Sequence, residues 1–138
     1  MRKLLDLFSL VFVLLLMHSI LDYLNGECLK DSIGFNRVLP YLVKKSDSMT
    51  VKMCKELCFD GNRDDEAGGY AYAGVQNTDE CWCGNNKPDQ PKKNRIKQSE
   101  CNMPCPGDNS QKCGGPTGAA LAKMNVYRNK GMVCCRGK

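Results

Sequence analysis

The sequence predicts a small, disulfide-rich domain in which one helix is fastened against one strand, and three observations lead to that prediction. The chain carries ten cysteines in 138 residues. Cys54 and Cys58 stand four residues apart, which on a helix places both thiols on one side, about one turn apart. Cys81 and Cys83 stand two residues apart, which on a strand places both on one face and turns Trp82 to the other. Two parallel disulfides between these pairs would hold the helix flat against the strand and leave the opposite face for binding.

Residues 1–26 have the features of a secretory signal peptide. A basic start precedes Leu4–Leu16, a run that is almost wholly apolar and too short to cross a bilayer comfortably. We predict cleavage between residues 19 and 26, and a secreted, extracellular protein without a membrane span in the mature chain. A membrane anchor is the alternative, but Asp22 soon interrupts the apolar run.

Cleavage would remove His18, which is the only histidine in the sequence, and would leave the net charge at +5. Without histidine, the Ser/His/Asp, Cys/His and His-ligated zinc arrangements of common enzymes are excluded. A carboxylate pair can hydrolyse a glycosidic bond, but no two acidic residues stand out on regular elements. We therefore predict no catalytic residue, and the protein is not expected to be an enzyme.

The cysteines are predicted to form disulfides. About 110 mature residues make one domain with a modest core, and disulfides supply the missing stability in secreted chains of this size. Zinc is the alternative use of clustered cysteines, but the Cys81-x-Cys83 spacing is a poor match to the CxxC knuckle of structural zinc sites. Calcium at Asp64–Glu66 is equally disfavoured, because contiguous carboxylates lack the alternate spacing of an EF-hand loop. We predict no metal and no cofactor.

The remaining elements follow from local signals. Thr50 is a predicted N-cap for a helix from Val51 to about Phe59, which Gly61 would end. From Tyr70 the hydrophobic period becomes two, which predicts a strand leading through a turn into the CxC strand. That strand would turn Tyr70, Tyr72 and Gln76 to one side and Ala71, Ala73 and Val75 to the other.

Two shorter strands and three irregular stretches complete the prediction. The strands are Cys28–Asp31 and Met124–Tyr127, whereas the irregular stretches are residues 36–48, the long loop at 85–98 and the tight turns of 99–115. The long loop is basic and could contact nucleic acid or an anionic glycan, but it has no interleaved aromatics, so we interpret it as solvated and predict no nucleic-acid partner. Its cations are Lys87, Lys92, Lys93, Arg95 and Lys97.

Six segments together resemble a WSC domain, the module of fungal cell-wall stress sensors, Kremen-type receptors and polycystin. The segments are Arg37–Pro40, Ser48–Val51, Tyr72–Gln76, Glu80–Asn85, Ser99–Gly107 and Cys113–Gly115. The resemblance implies a compact α+β fold, with one main helix packed on a small antiparallel sheet, similar to PAN or apple modules. It places the domain at residues 27–128, between the signal peptide and a basic tail at 129–138. The disulfide pairing that it implies is Cys28–Cys101, Cys54–Cys81, Cys58–Cys83 and Cys105–Cys113.

The resemblance also implies a non-catalytic protein that binds a polysaccharide or glycan, or that serves as an extracellular interaction module. Sugar sites need aromatic faces for stacking and amides for hydroxyl groups. The candidates are Trp82, Tyr70, Tyr72, Gln76, Asn85 and Asn102. Core packing over a disulfide is the alternative role of Trp82. The alternative function is a secreted disulfide scaffold, such as a venom-type or effector polypeptide, that binds an extracellular protein.

Cys134 and Cys135 have no counterpart among the family's eight cysteines. Adjacent cysteines bond to each other only through a strained ring, whereas a flexible tail lets either one reach a second chain. We predict a covalent dimer through Cys134 or Cys135, or else a labile bond between the two. A frayed tail without a role is the alternative.

Overall fold

The computed structural model describes residues 2–32, 34, 37–60, 69–86, 94–118 and 121–130. In this part of the chain, the helices are α1 (Arg2–Asn25) and α2 (Val51–Phe59), with a short 3-10 turn at Gln98–Glu100. The strands are β1 (Glu27–Ser32), β2 (Tyr41–Lys45), β3 (Tyr72–Gln76), β4 (Glu80–Gly84), β5 (Pro104–Cys105), β6 (Asp108–Lys112) and β7 (Leu121–Arg128). Among these residues, neither helix meets the length and hydropathy that a membrane span requires.

Five of the strands form one antiparallel sheet in the order β1-β7-β3-β4-β2, and β5 pairs with β6 in a separate small hairpin. The predicted α+β class, a helix on a small antiparallel disulfide-rich sheet, is therefore confirmed. β3 and β4 are joined by a tight three-residue turn, in which Asn77 and Thr78 both have positive φ. The Thr78 amide donates to the Cys113 carbonyl at 3.0 Å, which connects this turn to the residue that follows β6.

Helix α2 begins and packs as its sequence predicts. The Thr50 hydroxyl accepts a hydrogen bond from the Met53 amide at 3.0 Å, which satisfies one of the unpaired donors of the first turn. Val51, Cys54 and Cys58 recur at the spacing of one helical face, and all three are buried against the sheet. The helix is capped by Asp60, while the predicted stop at Gly61 lies outside the described residues.

The sheet buries both of its faces. The face towards α2 carries Ala73, Val75, Cys81 and Cys83, and its core extends to Tyr127. Four disulfides reinforce the fold in the pairing that the family resemblance implies. They are Cys28–Cys101, Cys54–Cys81, Cys58–Cys83 and Cys105–Cys113.

The opposite face forms a second core around Leu29, Trp82 and Met124, and the segment at residues 37–40 lies across it. Leu39 of this segment is fully buried. A Cβ on Gly84 would come within 2.9 Å of Pro40 Cδ, so the segment lies directly on β4. The second face is therefore covered by the chain itself over much of its area.

Three elements differ from the sequence prediction. β2 lies inside the stretch expected to be irregular, and its ladder with β4 is interrupted between Leu42 and Lys44, which breaks the alternation that would have signalled a strand. The turn-rich stretch after Cys101 contains the β5–β6 hairpin. β7 begins three residues earlier than expected, at Leu121, because its pairing with β1 continues until Leu121 lies opposite Ser32.

Candidate functional site

Trp82 points away from α2, as the alternation of the CxC strand predicts, but it is buried. Only 8% of the residue is exposed. The Arg37 guanidinium lies 3.5 Å from the ring centroid, in cation–π contact, and the indole Nε1 donates to Glu80 Oε2 at 3.1 Å. Arg37 occupies the ring face that a sugar would need. The structure therefore places Trp82 in the second core rather than on a binding surface.

A network of hydrogen-bonded polar side chains surrounds Trp82 on this face. Arg37 donates to Asp31 Oδ2 at 2.7 Å and to Gln76 Oε1 at 3.1 Å, while the Val38 amide donates to Asp31 Oδ1 at 2.7 Å. Asp31 has no exposed surface, and this burial raises the pKa of its carboxyl although Val38 and Arg37 act to lower it. Gln76 is 4% exposed, and its Nε2 donates to Glu80 Oε2, so Gln76 is also buried in this network.

Three of the remaining predicted site residues meet at one end of the sheet, where β4 ends and β3 begins. Tyr41 pairs with Cys83 and Tyr72 with Gly84, while Tyr70 and Asn85 lie next to these strand ends. We call these four residues, Tyr41, Tyr70, Tyr72 and Asn85, the aromatic end. The ring centroids of Tyr41 and Tyr70 are 5.5 Å apart, with the planes tilted by 40°.

The side chains of the aromatic end are held in place while part of their surface stays in solvent. Asn85 is exposed, and its Oδ1 accepts from the Ala71 amide at 3.0 Å. Tyr41 is 52% exposed, and Tyr70 packs against the core beneath α2. Tyr72 packs instead against the second core, so the prediction that Tyr70 and Tyr72 share one side is wrong. β3 begins only at Tyr72, so the strand alternation does not extend to Tyr70.

Asn102 does not belong to this group. It is exposed directly after Cys101, which is bonded to Cys28 in β1, whereas the Tyr41–Tyr70 pair lies towards the opposite edge, at β2. Tyr41 is the member of the aromatic end that sequence reasoning missed. Its signal was the run Tyr41–Val43 after Pro40, because aromatic and β-branched residues are enriched in strands.

The cysteine cluster does not offer a metal site. The sulfurs of Cys54, Cys58 and Cys81 lie within 4.8 Å of one another, which is close enough to bind one ion. Each of them is engaged in a disulfide, and zinc requires the free thiolate.

Several predicted features lie outside the described residues. They are the acidic run at 64–66, the cations Lys87, Lys92 and Lys93, and the cysteines Cys134 and Cys135. Of the basic loop, Arg95 and Lys97 are described and exposed, and Arg95 forms an ion pair with Glu27 at the start of β1.

Comparison with known proteins gives the family. The WSC domain family matches residues 25–115. A WSC domain-containing protein of Arthroderma benhamiae is 32% identical over 104 residues, which cover 74% of this chain and 10% of that protein. Xylosyltransferase oxt of Drosophila melanogaster is 34% identical over 100 residues, which cover 72% of this chain and 10% of that protein. Kremen protein 1 of Mus musculus is 35% identical over 91 residues, which cover 66% of this chain and 17% of that protein. The chain thus spans only about a tenth to a sixth of the length of these proteins. By these matches, the chain belongs to the WSC domain family.

Proposed function

We propose that this protein is a secreted, non-catalytic module that binds carbohydrate at the aromatic end. The observation that carries the proposal is the half-exposed ring of Tyr41 beside Tyr70, with the Asn85 amide close to the same strand ends. An aromatic face stacks on the C–H surface of a sugar, and an amide exchanges hydrogen bonds with its hydroxyl groups. Packing of Tyr70 against the core supports the proposal further, because a ring that is already ordered loses little entropy on binding.

Secretion is part of the same proposal. Disulfides persist in oxidising compartments, and the four disulfides of this fold favour an extracellular or cell-surface location. The basic and apolar start of the chain supports removal of residues 1–26 as a signal peptide. The stretch shared with xylosyltransferase oxt is a tenth of that enzyme, so its name is no evidence for catalysis by this chain.

Replacement of Tyr41 by alanine tests the location of the site. A glycan array first identifies a neutral oligosaccharide ligand, and calorimetry then compares the variants. Tyr41→Ala should weaken binding by roughly 1–3 kcal/mol, by analogy with the stacking of bases on aromatic side chains. Leu121→Ala is the matched control, because Leu121 is 45% exposed and pairs with Ser32 at the other end of the sheet. Equal affinities of the two variants would exclude the aromatic end as the site.

A protein partner is the second candidate function, and the edge strand β2 favours it. β2 is the last strand in the sheet order of the described residues, and its Leu42 is 46% exposed. Such an edge can accept an extended segment of another protein as a further strand. The absence of any array ligand, together with capture of an extracellular protein that Leu42→Asp abolishes, would favour this function over carbohydrate binding.

A covalent dimer through Cys134 or Cys135 also remains a proposal. The eight other cysteines are bonded within the domain, so these two are left for each other or for a second chain. On a nonreducing gel, the secreted protein should migrate as a dimer and the double variant Cys134→Ser/Cys135→Ser as a monomer. A wild-type protein that stays monomeric in oxidising buffer would contradict the dimer.

A further inference from the structure

Asn85 stands where the ladder between β3 and β4 ends. Tyr72 pairs with Gly84 there, and extending the same register would set Asn85 opposite Ala71. At this position the Asn85 side chain makes the contact, because its Oδ1 accepts from the Ala71 amide at 3.0 Å. Inside an antiparallel ladder, a backbone carbonyl of the neighbouring strand has this role. The side chain of Asn85 therefore continues the sheet by one hydrogen bond.

The backbone of Tyr70 and Ala71 is anchored to three neighbouring segments. The Tyr70 amide donates to the Cys58 carbonyl near the end of α2 at 2.6 Å, and the Asn129 amide donates to the Ala71 carbonyl at 2.8 Å. The bond from the Ala71 amide to Asn85 is the third anchor. Fixing this backbone also fixes the position from which the Tyr70 ring contacts its aromatic neighbour.

The orientation of the Asn85 amide follows from its bond to Ala71. A backbone N–H can only donate, so Ala71 requires the carbonyl oxygen of Asn85, and the NH₂ group is left on the other side. Asn85 is exposed, and its Nδ2 has no hydrogen-bond partner in the part of the chain that the structure describes. At the aromatic end, Asn85 thus offers N–H donors to a ligand, while its acceptor is used within the fold.

We infer that Asn85 determines ligand choice at the aromatic end in two ways: its Oδ1 positions the Tyr70 ring beside Tyr41, and its Nδ2 donates to an oxygen of the bound sugar. The inference rests on the proposed function and deepens it, because it makes this polar contact a donor only. A hydroxyl, ring or glycosidic oxygen next to the stacked C–H face satisfies such a donor, whereas an ammonium group at that place does not.

Two replacements of Asn85 separate its two roles. Asn85→Asp keeps an oxygen for the Ala71 amide and replaces the NH₂ group by a second oxygen, so positioning is kept and donation is lost. Asn85→Ala removes both. Asn86→Asp and Asn86→Ala are the matched controls, because Asn86 is also exposed and its side chain has no hydrogen bond among the described residues.

Hydrogen exchange of the Ala71 amide in the ligand-free secreted protein tests the positioning role. Exchange should be about fivefold faster in Asn85→Ala, the factor that corresponds to one net hydrogen bond. It should be no faster in Asn85→Asp or in either Asn86 variant. Unchanged exchange in Asn85→Ala would overturn the positioning role, whatever ligand the protein binds.

Calorimetry with the neutral oligosaccharide tests the donor role. Asn85→Asp should weaken binding about fivefold and Asn85→Ala at least as much, while the Asn86 variants should bind like the wild type. Wild-type affinity in Asn85→Asp, together with a loss in Tyr41→Ala, would refute the donor role and leave the proposed function standing. Wild-type affinity in Tyr41→Ala would instead refute the proposed function and the donor role with it, while the exchange measurement still decides positioning.

Discussion

At the scale of single residues, the second face of the sheet is organised by Trp82 and Arg37. The indole lies on the sheet beneath the guanidinium, and its N–H is satisfied by Glu80. Arg37 is held in turn by the buried carboxylate of Asp31, with 16% of its own side chain exposed. Such a pair is costly to break, because loss of one partner leaves the other charge buried and unpaired. Trp82, one of the candidate sugar contacts, is therefore part of the second core.

Trp82→Ala should consequently lower stability rather than affinity. We expect the free energy of unfolding to fall by about 3–5 kcal/mol, the usual range for removal of a large buried aromatic side chain. Urea denaturation with the disulfides intact measures this, and Leu121→Ala serves as the exposed control. A Trp82→Ala protein that keeps its stability but loses glycan binding would instead make Trp82 a ligand contact.

The sequence could predict the face of the sheet to which Trp82 points, its direction, but not how deeply it is buried, its depth. Direction follows from strand alternation, which is a local property. Depth depends on Arg37 and Leu39, which come from a segment more than 40 residues earlier and reach the indole only through the tertiary fold. For the same reason, Tyr70 and Asn85 could be selected from their residue types, while their neighbour Tyr41 could not.

At the scale of elements, the joint between α2 and β4 is the most predictable part of the molecule. Cysteine spacings of four and two residues match the helix and strand periods, and the Cα–Cα distances of the two bridges, 5.4 and 5.5 Å, are nearly equal. The helix is set by local signals, namely the Thr50 cap and one apolar face. β2 was missed because its irregular register and exposed side chains erase the two-residue period.

The two bridges of this joint should act as one restraint. They close almost the same loop, with sequence separations of 27 and 25 residues, so either one alone restricts the unfolded chain nearly as much as both do. Removing both pairs by Cys→Ala should cost roughly 2–5 kcal/mol more than removing either pair. Urea denaturation of the three variants measures the costs. Strictly additive costs would contradict this account.

At the scale of the whole molecule, the chain folds as a WSC domain whose candidate binding surface, the aromatic end, lies at one end of the sheet. It presents the exposed ring of Tyr41, the partly buried ring of Tyr70 and the exposed amide of Asn85. Because the curated relatives are many times longer than the region they share with this chain, the shared part is a module, and its ligand must be established on this chain itself.

The most direct test of carbohydrate binding at the aromatic end is a titration of the labelled protein with a neutral oligosaccharide, followed by amide NMR spectra. We expect the resonances of Tyr41, Tyr70, Ala71 and Asn85 to shift in a saturable way. Those of Trp82 and of the control Leu121 should stay close to their starting positions, because Trp82 is covered by Arg37 and Leu121 lies at the other sheet end. Saturable shifts confined to Arg37 and Trp82, or no shifts with any oligosaccharide, would contradict carbohydrate binding at the aromatic end.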